Sequence, residues 1–183
     1  MMRARNGPET WGLVSRALHW LMAAGLLAML PFGLWLARTQ PSLGTLWLYG
    51  LHKSLGVMLL VLVLLRLVWH RLSPPPVMLS EGVAPWQLRL AATSHRALYA
   101  LMLAVPLAGW SASSATGIDT VLFGRWTLPR IAPVSEAWDR RGFALHLWLS
   151  VALAVLVAIH VAGALWRHWG HRDATLRRML GWA

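Results

Sequence analysis

Cysteine is missing from this 183-residue chain altogether. Disulfides, thiolate metal sites, iron–sulfur clusters and covalent c-type haem attachment are therefore excluded. Acidic residues are nearly as scarce, six in total, and charged residues of both signs make up only 13% of the chain. A soluble globular domain would carry roughly twice that charge. Phenylalanine and tyrosine number three and two. A metal held here must rely on nitrogen or oxygen donors, and eight histidines outnumber the carboxylates.

What fills the chain instead is apolar sequence: 57% hydrophobic residues and a mean hydropathy of +0.53. The runs are long enough to cross a hydrocarbon core about 30 Å thick. They predict an all-α membrane protein, a four-transmembrane-helix bundle forming one domain over residues 1–183, with helices at about 15–37, 47–69, 88–111 and 143–166. The first run is about twice the length of a signal-peptide core and lacks a small-residue cleavage site, so it reads as a span. Pro31 and Gly33 fall near its far end, Pro106 and Gly109 near the end of the third. Pro74, Pro75 and Pro76 mark one connection, the stretch from Gly117 to Asp139 forms the longest loop, and ATLRRMLGW in the tail suits a short interfacial helix.

The net charge of +11 is explained by orientation rather than by nucleic acid. Arg3, Arg5, Arg16, Arg66, Arg71, Arg89, Arg96, Arg167, Arg172, Arg177 and Arg178 fall on one side of a four-span topology. Arg38, Lys53, Arg125, Arg130, Arg140 and Arg141 fall on the other. The bias places both termini in the cytoplasm. Most of the thirteen tryptophans lie near span ends, as interfacial anchors do.

The last span, FALHLWLSVALAVLVAIHVAGALW, carries His146 and His160. On an α-helix their separation is about 21 Å of rise and about 40° of rotation, so both imidazoles share a face, one near each membrane edge. With alternating helix directions, His52 meets His146 on the outer side, while His19 and His95 both share the inner depth of His160. A lone histidine at a span end is more often interfacial, and that reading suits His95 taken alone as well as His70, His168 and His171. Depth-matched pairs inside the membrane point to function. Zinc wants four ligands, and neither pair has acid or sulfur beside it. Two axial nitrogens suffice for haem, and six-coordinate bis-histidine haem favours electron transfer because no iron position stays open. Gly56, Gly142 and Gly163, near these histidines in sequence, would leave room for a flat macrocycle and equally suit helix packing; Arg16, Arg96, Lys53, Arg140 and Arg141 lie at depths where propionates would sit, and equally suit topology charges.

SRALHWLMA, LYGLHKSLG with RLVWHRLSPPP, SHRALYALMLAVPLAGW and ALHLWLSVALAVLVAIHVAGALWRHW together resemble the bacterial cytochrome b561 family over nearly the whole chain. The resemblance implies an inner-membrane protein with two b-type haems. His19 and His160 would ligate the inner iron and His52 and His146 the outer, leaving His95 for a quinone or proton-handling role. It also implies electron transfer between a periplasmic donor and the quinone pool, with superoxide as a donor and ubiquinone as acceptor in some members. The outer-side cations, against Asp119, Glu136 and Asp139, would steer a small anion, and would equally suit lipid headgroups or an acidic protein. The alternatives are a cytochrome b subunit serving a partner dehydrogenase or soluble cytochrome, with the long loop as docking surface, and a haem-handling membrane protein without redox turnover.

Overall fold

The structure is a computed structural model describing residues 3–182. Its long helices are α1 (Leu13–Leu36), α2 (Leu46–Leu72), α3 (Pro85–Ala115) and α4 (Glu136–Trp169). All four are long and apolar enough to cross a membrane. The helices outrun the apolar segments because polar residues extend their ends. Ser135 caps α4 by accepting a hydrogen bond from the Trp138 amide at 3.3 Å, and Glu136 and Asp139 place negative charge on its first turn. At α3, Pro85 needs no amide donor in the first turn, and the Gln87 side chain accepts from the Ala84 amide at 3.2 Å. Both α1 and α3 run through their internal prolines, Pro31 and Pro106.

Between α3 and α4 the chain forms a small hairpin, β1 (Thr120–Leu122) and β2 (Trp126–Leu128), where the sequence suggested only a loop. Phe123 and Gly124 turn it with φ of 48° and 69°. Six residues give too little alternation to read as strands. The Phe123 amide donates to Ser54 Oγ at 2.9 Å, tying the hairpin to α2. The ATLRRMLGW segment does form a helix, α5 (Thr175–Leu180), closed by Gly181 at φ 83°.

Both chain ends meet at one end of the bundle. The Asn6 side chain donates to Ser73 O and Pro74 O, Trp69 Nε1 donates to Ser15 Oγ at 2.9 Å, and Arg16 donates to Leu180 O at 2.6 Å. This termini end stands opposite the hairpin end. Some tryptophans lock the fold as well as anchoring it: Trp20 Nε1 donates to Met179 O, Trp110 Nε1 to Pro129 O and Trp138 Nε1 to Ser111 Oγ.

The packed core lies among the first three helices: Met22, Leu60 and Val63, backed by Leu62, Tyr99, Met102 and Leu103. α1 packs on α2, α2 on α3, and α3 on α4. Gly142 allows the last approach, since a Cβ there would lie 2.9 Å from the Ala112 Cβ. That glycine serves helix packing, not the macrocycle space its position suggested. α4 has almost no direct contact with α1 or α2. An apolar cleft of about 430 Å³ separates α1 from α4, lined by Leu27, Leu30 and Pro31 on one side and Ala154, Ala158 and Ala162 on the other.

Candidate haem-binding site

Histidine rings bridge the space that the helices leave. At the hairpin end, His52 of α2 faces His146 of α4 with ring centroids 6.2 Å apart and planes at 90°. At the termini end, His19 of α1 faces His160 of α4 at 6.3 Å and 59°. Each pair therefore joins α4 to a helix it scarcely touches directly. His95 lies in the termini-end group, but its centroid is only 5.3 Å from that of His160.

Those distances carry chemical information. An imidazole nitrogen lies about 2 Å from a metal it binds and about 1.1 Å from its own ring centre, so two rings on opposite faces of one metal have centroids about 6.2 Å apart. Both cross-bundle pairs match that spacing. The His95–His160 spacing is shorter, closer to plain ring contact. The four paired histidines are half-buried, whereas His95 is exposed.

The His146 ring is oriented by its Nδ1, 2.9 Å from the Val105 carbonyl oxygen. A proton on Nδ1 makes that bond and leaves Nε2 as the free donor nitrogen. His52 Nδ1 is buried without a partner. Two glycines that sequence reading did not connect with the rings make room for them. A Cβ at Gly109 would lie 2.9 Å from His146 Cε1 and Nδ1, and one at Gly33 would lie 2.9 Å from His52 Cε1. Only the i, i+19 and i, i+37 separations link these positions to their histidines, and no short motif spans such distances.

The residues fit a haem. The donor set is two nitrogens per site, and among the described residues no group of three or more His, Cys, Asp or Glu could hold a bare metal ion. Near the rings the backbone is not crowded: a Cβ built at Gly56, four residues after His52, or at Gly163, three after His160, meets nothing within 4 Å.

Comparison with known proteins agrees. A family model of prokaryotic cytochrome b561 matches residues 10–182. The chain belongs to the prokaryotic cytochrome b561 family. It is 36% identical over 185 residues to "Cytochrome b561 homolog 2" of Escherichia coli (strain K12), covering 98% of this chain and 96% of that protein. "Cytochrome b561 homolog 1" of the same organism is 30% identical over 130 residues, 70% of this chain and 72% of that one. A "Probable superoxide oxidase CybB" of Yersinia pestis is 26% identical over 164 residues, 89% and 91% of the two chains. The chain is thus a multi-pass bacterial inner-membrane protein whose family implies b-type haem and membrane electron transfer.

One polar residue stands out in the cytochrome's interior. Arg66 of α2 is only 6% exposed, and its Nε donates to the Tyr99 hydroxyl at 2.8 Å. Sequence counting treats it as a topology charge. The signal that finds it is spacing: Arg66 follows His52 by the same fourteen residues that separate His146 from His160. It therefore falls on the His52 face of α2 at the depth of the other ring pair. Of the cations proposed for propionates, Arg16 is engaged with Leu180 O, and Arg140 lies 3.8 Å from Glu136.

At the hairpin end the structure shows which cations are paired with the acids. Arg130 is committed to Asp119 at 2.9 Å and to Gly117 O at 2.8 Å. Among the described residues, Arg38, Lys53, Arg125 and Arg141 have no carboxylate partner.

Proposed function

We propose that this cytochrome carries electrons across the membrane through two b-type haems, from superoxide at the hairpin end to a quinone at the termini end. The observation that carries the proposal is the pair of histidine couples, 6.2 and 6.3 Å between ring centres, at opposite ends of one bundle. His52 and His146 would hold one iron, His19 and His160 the other. Each bound haem would supply a one-electron carrier with both axial positions filled, which suits transfer rather than oxygen binding. With both termini in the cytoplasm, the hairpin end faces the periplasm, as the arginine distribution favours.

The remaining roles fall to the chain's own residues. Arg38, Lys53, Arg125 and Arg141 would draw a small anion toward the His52–His146 end. The similarity to a probable superoxide oxidase supports superoxide as that anion. Two superoxide anions, each losing one electron to become dioxygen, balance one quinone that takes two electrons and two protons to become quinol. His95, exposed and beside His160, would exchange protons with quinone, ubiquinone being the expected acceptor.

The test is direct. Pyridine-haemochrome analysis of the purified protein should give two haem b per chain, and ubiquinone should accelerate superoxide loss. One haem or none defeats the two-carrier reading. Two haems without quinone-dependent loss of superoxide would favour a second reading, a cytochrome b subunit fed by a dehydrogenase or soluble cytochrome. That reading draws on the hairpin, where Phe123 is 51% and Trp126 63% exposed.

A further inference from the structure

Arg66 has a role to explain. A guanidinium in the bundle interior is costly unless something compensates it. Its one side-chain partner is a neutral phenol, Tyr99. The described carboxylates that form ion pairs lie elsewhere: Asp119 on Arg130, Glu136 near Arg140, and Asp173 on Arg167. By helix spacing Arg66 lies at the depth of His19, His160 and His95, and its partner Tyr99 packs on the cluster that contains Met22, three residues after His19. At the hairpin end, by contrast, Arg38, Arg125 and Arg141 are exposed and Lys53 is half-buried. Among the described residues of the four long helices Arg66 is thus the only buried cation, and it lies at the termini-end pair.

A fixed positive charge beside a redox centre favours the state with one more electron, because reduction lowers the centre's own charge by one. We propose that Arg66, held in place by Tyr99, raises the reduction potential of the haem at the His19–His160 pair above that at His52–His146. The inference rests on the two-haem reading. It adds a direction to it: an electron arriving at the hairpin end runs downhill to the termini end. Arg66 touches no reacting atom in this account and acts as a tuning charge.

The experiment is a spectroelectrochemical titration of the detergent-purified holoprotein, with the His52→Ala protein identifying the termini-end component. Arg66→Gln should lower that component's midpoint by at least about 59 mV, a tenfold change in a one-electron equilibrium. The hairpin-end midpoint should stay put, and Arg66→Lys, which keeps the charge, should stay near wild type. An unchanged midpoint in Arg66→Gln overturns the proposal, as does an equal fall in Arg66→Lys. Should Arg66→Gln lose the haem, Arg66→Lys decides: haem retained at the native potential supports the role of charge. Loss in both variants shows a packing role and overturns it. A wild-type protein lacking haem at the His19–His160 pair refutes the two-haem reading itself, a result distinguishable from every failure of the charge.

Discussion

Gly109→Ala tests the site without touching a ligand. The added Cβ would lie 2.9 Å from both Cε1 and Nδ1 of His146. Nonbonded carbon contacts settle at about 3.5–4.0 Å, so the ring must withdraw by roughly 0.6 Å or more. A metal–nitrogen bond tolerates only about 0.2 Å. The same movement strains the 2.9 Å bond between Nδ1 and Val105 O, which fixes the ring's orientation. Losing such an orienting contact typically costs about 10–100-fold in metal affinity, or ~1.4–2.7 kcal/mol. The expected product keeps the haem at His19–His160 and loses or weakens the one at His52–His146. Haemochrome stoichiometry should fall from two toward one per chain, and one low-spin ferric signal should vanish from the electron paramagnetic resonance spectrum. Gly56→Ala is the companion: its Cβ meets no protein atom within 4 Å. Any haem loss there reports on what fills that space. Two fully occupied, spectrally unchanged haems in Gly109→Ala would refute the placement of His146 on the iron.

The histidine variants follow the pairing: His52→Ala or His146→Ala removes one haem and blocks periplasmic donors, and His19→Ala or His160→Ala removes the other. His95→Ala should keep both haems and slow quinone reduction; loss of a haem there, with retention in His19→Ala, would reverse the assignment at the termini end. Reversing charge at Arg141 and Arg125 should slow an anionic donor at low salt, with the difference shrinking as ionic strength approaches 0.1 M, where screening sets in at about 10 Å. In the tail, partial burial opposes ionisation of Asp173, but the Thr175 amide and hydroxyl and the Arg167 guanidinium outweigh it and hold the carboxyl below its usual range. A depressed folded value means that the tail's added stability is present above the ordinary carboxylate range and is lost as pH falls through the depressed value. Protection of the α5 amides, taken relative to the intrinsic exchange rate at each pH, should therefore fall on acidification, and Asp173→Asn should show the lower protection at every pH.

What the sequence made legible was periodicity. Four apolar runs and the fourteen-residue spacing in α4 suffice to predict the bundle and to match His52 with His146, because helix geometry converts separation into depth and face. Depth alone could not choose between His19 and His95 as the counterpart of His160, since both begin spans on the same side. The two differ in ring distance to His160, 6.3 against 5.3 Å, a quantity set by helix rotation and invisible in a linear pattern. The hairpin escaped because strands of three residues leave no alternation to read. Arg66 escaped because an arginine near a span end usually marks topology; its spacing from His52 was the one signal available, and its burial makes the residue stand out.

The placement of α4 joins these points. A helix of 34 residues that packs on α3 yet hardly meets α1 or α2 would be a poor bundle member if protein contacts were all that held it. Leu153 is its only buried residue among those described. In lipid, where apolar surface gains little by leaving the hydrocarbon, helices associate through close packing and polar bridges. α4 finds close packing on one side, at Gly142 against Ala112. On its other side it presents His146 and His160 across a gap wide enough for a metal between rings. The fold therefore uses α3 to position α4, and on the proposed reading the remaining interface would be closed by what the histidines grip, so that binding the redox group and completing the bundle would be the same event.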